Sequence, residues 1–590
     1  MKKKNYLWAI RECFNVSFSS SLTIVLFYVA NGLLNPIMIN IVAKIINKIE
    51  DYVASYKTIF LVIVILSVAY IYRQTSSIFI QFFIEKVRIR LKVIFGRKLL
   101  IQRTKFSIAD LEDENKYNMI EAVVNNADKQ LSGMLLSFCI IISLAIEFIG
   151  IFSIISRFNP LIIPIFILFA CPLAVLSFKG GREVYLEDRG IIKLTRLMKY
   201  YTEVLSDKEH INERTLFGYS DYINGKYAEA HLKRSNANTI VLAKWMTRIK
   251  ICAVVLLIFS VYVILMMFEN ISRGTLTIGL FITLTGTIVS FSKQLTQTFS
   301  RLIFDIADQR EYLVEINDFF SIKGEEEYSE YTYNEEVFET LQVIDLSFKY
   351  PNSEQYVLQN LNLTLEKGKS YSLIGINGAG KSTLIKILTG TYKSYDGIVL
   401  INGKDIKTYS DNRLRNIFSL VFQDFAKYQI SLKDNLIFSH EELWDTSVLH
   451  KSGLDDLIES LKEHEDTIVG KIEGNGVDLS GGEWQKIVIA RALLRKVPFM
   501  IMDEPTASLS PRVENDFYTN LVEMKKDSTL LLISHRMAAT RITDEIILLD
   551  KGQIVEQGTH TDLMMQRGLY YSMFESQRRS YCDYEEIQIY

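Results

Sequence analysis

The chain lacks an excess of either charge: 66 Lys and Arg stand against 68 Asp and Glu, a formal net charge of −2. No basic field for nucleic acid exists, and no nucleic-acid partner is expected. Cysteine is sparse and scattered. Cys13, Cys139, Cys171, Cys252 and Cys582 show neither metal-ligand spacing nor a disulfide framework. Three of the five lie inside apolar runs, where cysteine acts as a small hydrophobe. Cys13 has no Cys/His pairing around it to make it a nucleophile. The first apolar run is not expected to be a removable signal, because it is too long and no small-residue cleavage site follows it.

What the chain does have is apolar residue, unevenly spread: 49% of its 590 residues are hydrophobic, more chain than one ordinary domain needs. The long apolar runs fall in the first half, and the remainder patterns as a soluble α/β domain. A membrane-spanning helix needs about 20 mostly apolar residues. Six stretches qualify: Ser20–Val42, Thr58–Phe82, Met134–Ser156, Leu161–Phe178, Ile251–Phe268 and Leu276–Phe299. The basic start Lys2-Lys3-Lys4 and the Lys- and Arg-rich connections 83–133 and 179–250 put both termini and both long connections on the cytoplasmic side of the cell membrane. These connections are polar, helix-prone and poor in Gly and Pro, so they read as helices continuing below the membrane. Residues 1–16, with Tyr6, Leu7, Trp8, Ile10 and Phe14 among lysines, read as an interfacial helix.

Two ionisable residues interrupt the apolar runs. Glu147 falls near mid-membrane, and Arg73 follows Ala69-Tyr70-Ile71-Tyr72. Charges at such depth pair with one another or face water. Glu147 therefore either lines a cavity that favours cationic cargo or forms an internal structural pair with Arg73. The last span carries Thr283, Thr285, Thr287, Ser290, Ser292, Lys293 and Gln294, which either wet a cavity or bond between helices.

The second half carries nucleotide chemistry. Gly375-Ile376-Asn377-Gly378-Ala379-Gly380-Lys381-Ser382-Thr383 is a G-x-x-x-x-G-K-S phosphate loop between an apolar strand pattern, 370–374, and a helix pattern, 383–388. Its glycines let backbone N–H groups turn inward, and the helix N-terminus adds partial positive charge. Lys381 reaches the β- and γ-phosphates of ATP, and the Ser382 hydroxyl ligates Mg²⁺. Phe499-Met500-Ile501-Met502 is an apolar strand ending in Asp503 and Glu504, the Walker-B pattern. Asp503 is placed to hold Mg²⁺ through water, and Glu504 to polarise the attacking water. Gln423 and His535 each end a further apolar strand. Gln423 is suited to sensing Mg²⁺ and water, His535 to sensing the γ-phosphate.

Leu479-Ser480-Gly481-Gly482-Glu483 resembles the signature motif of ATP-binding-cassette (ABC) proteins, and with Gln423, Asp503, Glu504 and His535 the set stands in order across residues 341–575. The resemblance implies that Tyr350 stacks on adenine. It also implies that two cassettes sandwich two ATP molecules, each between one protomer's phosphate loop and the other's Ser480, Gly481 and Gly482. The membrane half resembles the exporter-type ABC domain, in which helical extensions end in short segments touching the cassettes; by position these are Asp110–Asp113 and Ser206–His210. Ser510 stands where the family has an aspartate that couples the two sites, so coupling is the property in question. Glu483 replaces a common glutamine. The strings 479–486, 423–428 and 117–121 resemble lantibiotic-type peptide exporters. The first span begins too early for the N-terminal peptidase domain of some of these, so leader cleavage is not expected.

The expected architecture is a polytopic α-helical membrane domain of six spans, exporter-type ABC, followed by an α/β P-loop cassette. The interfacial helix 1–16 precedes a membrane domain 17–320, a charged linker 321–340 that includes Gly324–Tyr328, the cassette 341–575 and a tail 576–590. The expected activity is ATP-driven export of a peptide by a homodimer or by a pair with a related half-transporter. Export of lipids or amphipathic drugs, and a cassette that gates rather than pumps, are the alternatives.

Overall fold

A computed structural model of the chain describes residues 4–50, 56–156, 160, 162–207, 210–272, 276–322, 337–350, 353–438, 440–471, 476–505, 517–518, 521, 528–534 and 539–587. The chain divides into two compact units. One comprises Met1–Phe106 and Glu114–Lys323, the other Ser107–Asp113 and Gly324–Tyr590.

The first unit is helical: α1 (Tyr6–Val16), α2 (Phe18–Glu50), α3 (Tyr56–Arg103), α5 (Glu114–Ile155), α6 (Ile162–Gly190), α7 (Ile192–Ser206), α8 (Ile211–Phe217), α9 (Ser220–Ser272), α10 (Ile278–Gln294) and α11 (Ser300–Ser321). A π-helical turn, Leu295–Phe299, joins the last two. Five helices are long and apolar enough to cross a membrane among the described residues. The fourth of the six expected spans, Leu161–Phe178, falls on α6, which is not among these five, so five of the six expected spans are matched among the described residues. Helix α9 has 53 residues, roughly 80 Å at the helical rise, far more than a bilayer of about 30 Å requires. The polar connections are therefore extensions of the spans.

Small residues set the closest helix approach. A side chain at Gly32 of α2 would meet the Ser143 backbone of α5 at 2.7 Å, and Gly150 of α5 makes room for the Pro36 ring of α2. Without a hydrophobic force between helices in lipid, such contacts and hydrogen bonds hold them together. Of the α10 hydroxyls, one bonds between helices as expected and another bonds within its own helix. Ser292 bonds to Ser260 of α9, whereas Thr287 bonds back to Thr283 O at 2.7 Å within its own helix. Helix α1 docks onto its unit with Ala9, Ile10 and Cys13 buried, and the Tyr6 hydroxyl donates to Gln309 Oε1 at 2.7 Å. It thus has a fixed packing face rather than only an interfacial one.

In the second unit a four-stranded antiparallel sheet has the order β2-β1-β4-β5: β1 (Thr340–Phe348), β2 (Leu358–Glu366), β4 (Asp396–Ile401) and β5 (Lys404–Asp405). A six-stranded sheet has the order β10-β9-β3-β8-β7-β6: β3 (Ser370–Ile374), β6 (Phe418–Val421), β7 (Phe499–Asp503), β8 (Thr529–Ile533), β9 (Glu545–Asp550) and β10 (Gln553–Gly558). Strands β3, β7 and β8 are buried at every position, as parallel strands covered on both faces must be, and so β7 and β8 read as near-continuous apolar runs. Helix α12 (Lys381–Leu388) packs its Leu384, Ile385, Ile387 and Leu388 into the core between these sheets.

Three boundaries differ from the sequence expectation. Ser107–Asp113, which carries the short helix α4 (Ile108–Glu112), belongs to the second unit although it interrupts the first in sequence, and its Glu112 accepts a hydrogen bond from the Tyr392 hydroxyl. Strand β1 already begins at Thr340, the last residue assigned to the linker. The C-terminal helix Leu569–Ile587 runs through residue 575, so no separate tail starts there. Gly324–Tyr328, and Lys208 and Glu209 of the second candidate contact segment, lie outside the described residues.

The close helix approach gives the first prediction. Gly150→Ala would press a methyl group on the Pro36 ring and should lower the thermal midpoint of the detergent-solubilised protein, by about 1–3 kcal/mol of stability for an overpacked site. Gly190→Ala, which meets nothing within 4 Å, should leave it unchanged. Equal midpoints for the two variants would show that α2 and α5 do not depend on that contact.

Candidate functional site

Parallel pairing brings the nucleotide motifs to one sheet edge. In the ladder Leu373 lies opposite Ile533 and Ile533 opposite Asp503, so the loops after β3, β7 and β8 all leave on the same side. A cavity of about 410 Å³ opens there, lined by Asn377 to Thr383, Val357, Gln423, Asp503 and Glu504. Gly380 starts α12 with φ +103°, a conformation that disfavours residues with a side chain. Gly375 is needed for space, because a side chain would run into Leu549 O.

Lys381 is 9% exposed, and its Nζ donates to Gly375 O at 2.8 Å and Ile376 O at 3.2 Å. Burial pulls its pKa down, and the nearby Glu504 and Asp503 oppose that. Asp503 is buried at the end of β7. Burial first, and the Glu504 charge second, push its carboxyl up to about 6; Lys381 and a hydrogen bond from Ser382 act the other way. Glu504 has φ +49°, rare for a residue with a side chain, and its backbone N–H donates to Ile533 O at 2.9 Å. Gln423 Nε2 donates to Glu504 Oε2 at 3.0 Å, so the glutamine and the second carboxylate share one spot.

Tyr350 lies at the rim. Its hydroxyl pairs with Thr383 Oγ1 at 2.9 Å, and its ring meets Phe348 edge-on at 5.2 Å. Ser480, Gly481 and Gly482 do not line this cavity. They begin another helix, Gly481–Leu494, where Ser480 is the N-cap. Glu483 completes a capping box: its N–H donates to Ser480 Oγ at 3.3 Å, and its carboxylate accepts from Ser480 N at 2.7 Å. The S-x-x-E spacing signals this in the sequence, so the Glu483 that looked like a mild replacement has a structural role. Val357 also lines the cavity, and nothing in the sequence pointed to it. His535 and Ser510 lie outside the described residues.

The donor set fits Mg²⁺. A carboxylate, a hydroxyl and an amide, from Asp503, Ser382 and Gln423, are hard oxygen ligands gathered at one cavity.

In the first unit a second cavity, of about 700 Å³, is lined by Arg73, Glu147 and Lys293 among others. Glu147 is 3% exposed; Asn35 of α2 donates to one of its oxygens, and Gln294 of α10 donates to the other at 2.9 Å. No ion pair joins it to Arg73 among the described residues.

A pH dependence follows from Asp503. Its folded pKa lies above that of a free carboxylate, so the proton that Mg²⁺ must displace is held up to about pH 6. Mg²⁺-dependent ATP binding, measured by titration calorimetry, should strengthen as pH rises through about 6 and lose that step in Asp503→Asn. A flat profile in the unsubstituted chain would refute the assignment.

The chain is similar to known proteins. The ABC transporter family model matches residues 358–507. The subtilin transport ATP-binding protein SpaT of Bacillus subtilis is 28% identical over 583 residues, covering 96% of this chain and 92% of that protein. The nisin transport ATP-binding protein NisT of Lactococcus lactis subsp. lactis is 28% identical, covering 82% of each chain. An ATP-dependent lipid A-core flippase of Yersinia pestis is 35% identical, but over only 38% of this chain and 39% of its own length. Among solved structures, a bacterial Atm1-family ABC exporter with ATP bound superposes with a TM-score of 0.78 at 20% identity, covering 95% of this chain and 98% of that one. A helical membrane domain and an ATP-binding cassette in one polypeptide, similar along nearly its whole length to the subtilin transport protein and in fold to an ABC exporter, give the chain the build of an ABC half-transporter, an ATPase coupled to transport, with its cassette in the cytosol.

Proposed function

We propose that the chain exports a peptide of the lantibiotic or bacteriocin-like class across the cell membrane. The observation that carries this reading is the extent of the similarities. Those to the subtilin and nisin transport proteins run through the membrane half as well as the cassette, covering 96% and 82% of the chain. Those to the lipid A-core flippases stop at 38% to 40% of it. Cargo is handled by the membrane half, so similarity there bears on cargo and similarity in the cassette does not.

In this reading Lys381 and the loop amides take the phosphates, and Tyr350 moves from Thr383 onto the adenine. Ser382, Asp503 and Gln423 hold Mg²⁺, which when bound neutralises phosphate charge. Glu504, fixed by its backbone bond to Ile533, orients and deprotonates the attacking water, with Gln423 at its carboxylate and His535 at the γ-phosphate. Ser480, Gly481 and Gly482 serve the ATP of a second chain. Since one chain holds one phosphate loop and one signature, two chains are required, and a homodimer is the simplest assembly. ATP closes the cassettes, the membrane halves turn outward, and hydrolysis resets them.

The test is uptake of a fluorescent lanthionine-bearing peptide into inside-out proteoliposomes. The unaltered chain should accumulate it with ATP. Lys381→Ala should abolish ATP binding and uptake, and Glu504→Gln should slow turnover about 10²–10⁴-fold, the usual worth of a general base. Accumulation of a fluorescent lipid in place of the peptide would refute the cargo; uptake persisting in Glu504→Gln would refute the pump.

A further inference from the structure

We infer that the membrane-unit cavity is an anion-accepting subsite, built for a carboxylate of the cargo peptide, with Arg73 and Lys293 as its binding groups. The inference deepens the peptide-export reading and rests on it. The sequence position of Glu147 suggests a site for cations, but its surroundings argue otherwise. Its side chain is 3% exposed, and both oxygens are engaged by amides, one by Asn35 and one by Gln294. These donors are neutral and come from α2 and α10, so the carboxylate ties three helices together and offers little to a ligand. Arg73 and Lys293, by contrast, are exposed, line the cavity, and have no carboxylate partner among the described residues.

The sign of the site does not depend on the state of Glu147. With two cations against one carboxyl, the lining is positive whether that carboxyl is ionised or not. Cations held at membrane depth are costly and persist where they face water or a partner. A volume of about 700 Å³ accommodates a few residues of a peptide rather than an ion. The local backbone is shaped to the same end. Gln294 and Lys293 lie just before the π-helical turn Leu295–Phe299, and Gln297 and Thr298 of that turn also line the cavity. Such a turn shifts the side-chain register of the helix and recurs at functional sites.

The experiment uses the full chain in lipid nanodiscs and four fluorescent 20-residue peptides of Leu, Ser and one variable residue. The variable residue is Glu, Gln or Lys with both ends blocked; the fourth is the Gln peptide with a free C-terminal carboxylate. The Glu peptide should bind roughly tenfold tighter than the blocked Gln or Lys peptides, a preference that shrinks from 0.05 to 0.5 M salt. If the C-terminus is the recognised group, the free-ended Gln peptide should show the preference instead. Either preference should vanish in Arg73→Gln and Lys293→Gln, return in Arg73→Lys and Lys293→Arg, and persist or grow in Glu147→Gln. Equal or tighter binding of the Lys peptide, or a preference untouched by the two Gln substitutions, would overturn the subsite while leaving peptide export standing. Binding of none of the four would overturn both.

Discussion

The parallel pairing of β3, β8 and β7 is the constraint on which the nucleotide site depends. Parallel strands leave a sheet at the same edge, so residues more than a hundred positions apart in sequence arrive together without any contact between their own segments. Because Leu373, Ile533 and Asp503 stand in line across the ladder, Lys381 and the Asp503–Glu504 pair meet at one cavity. The same geometry accounts for their electrostatics. Strands buried on both faces carry Asp503 to the boundary of a dry core, where burial raises its affinity for a proton, and only Lys381 and Ser382 counter it. Moving Asp503 one residue along β7 would turn its side chain to the opposite face of the sheet.

The membrane unit obeys a different constraint. Lipid offers no hydrogen bonds, so a carboxylate buried within a span must find its partners inside the unit. Glu147 meets this through the absence of side chains nearby. Gly32 and Gly150 flank Asn35, Pro36 and Glu147 along the α2–α5 contact, and their missing side chains let the helices approach. At that separation Asn35 reaches Glu147 directly. A glycine in α5 and a hydrogen bond from α2 are thus parts of one arrangement.

Much of this was legible in the sequence because local rules govern it. The phosphate loop needs its glycines and its helix, the apolar runs need lipid, and β7 must end in carboxylates to bring them to phosphate. What escaped was set by tertiary contact. The left-handed backbone of Glu504 depends on its bond to Ile533, which belongs to a strand some 30 residues on. The partners of Glu147 lie on helices more than a hundred residues away on either side. The grouping of Ser107–Asp113 with the cassette runs against chain order altogether. The capping box at Ser480 is a different case: its spacing was visible, but Glu483 was compared with a glutamine and not with the N-cap three residues before it.

Three of the described candidate binding groups of the cassette are already bonded within the chain. Lys381 donates to Gly375 and Ile376, Tyr350 pairs with Thr383, and Ser480 is held by Glu483. A nucleotide therefore exchanges these bonds for new ones, and the net gain per exchanged bond is about 1 kcal/mol or less rather than the full strength of a phosphate contact. The exchange is also unequal. Lys381 gains a charged partner for two neutral carbonyls, a strong trade in a buried site. Ser480 would set aside a carboxylate for a phosphate, one anion for another, and Glu483 must yield its place at the helix N-terminus. In the proposed mechanism the phosphate loop is thus the half of the site that binds first, and the signature is the half that must be persuaded. Under the proposed two-chain assembly, a second chain bringing its signature to ATP already held by Lys381 would meet that need and tie closure of two cassettes to nucleotide already bound.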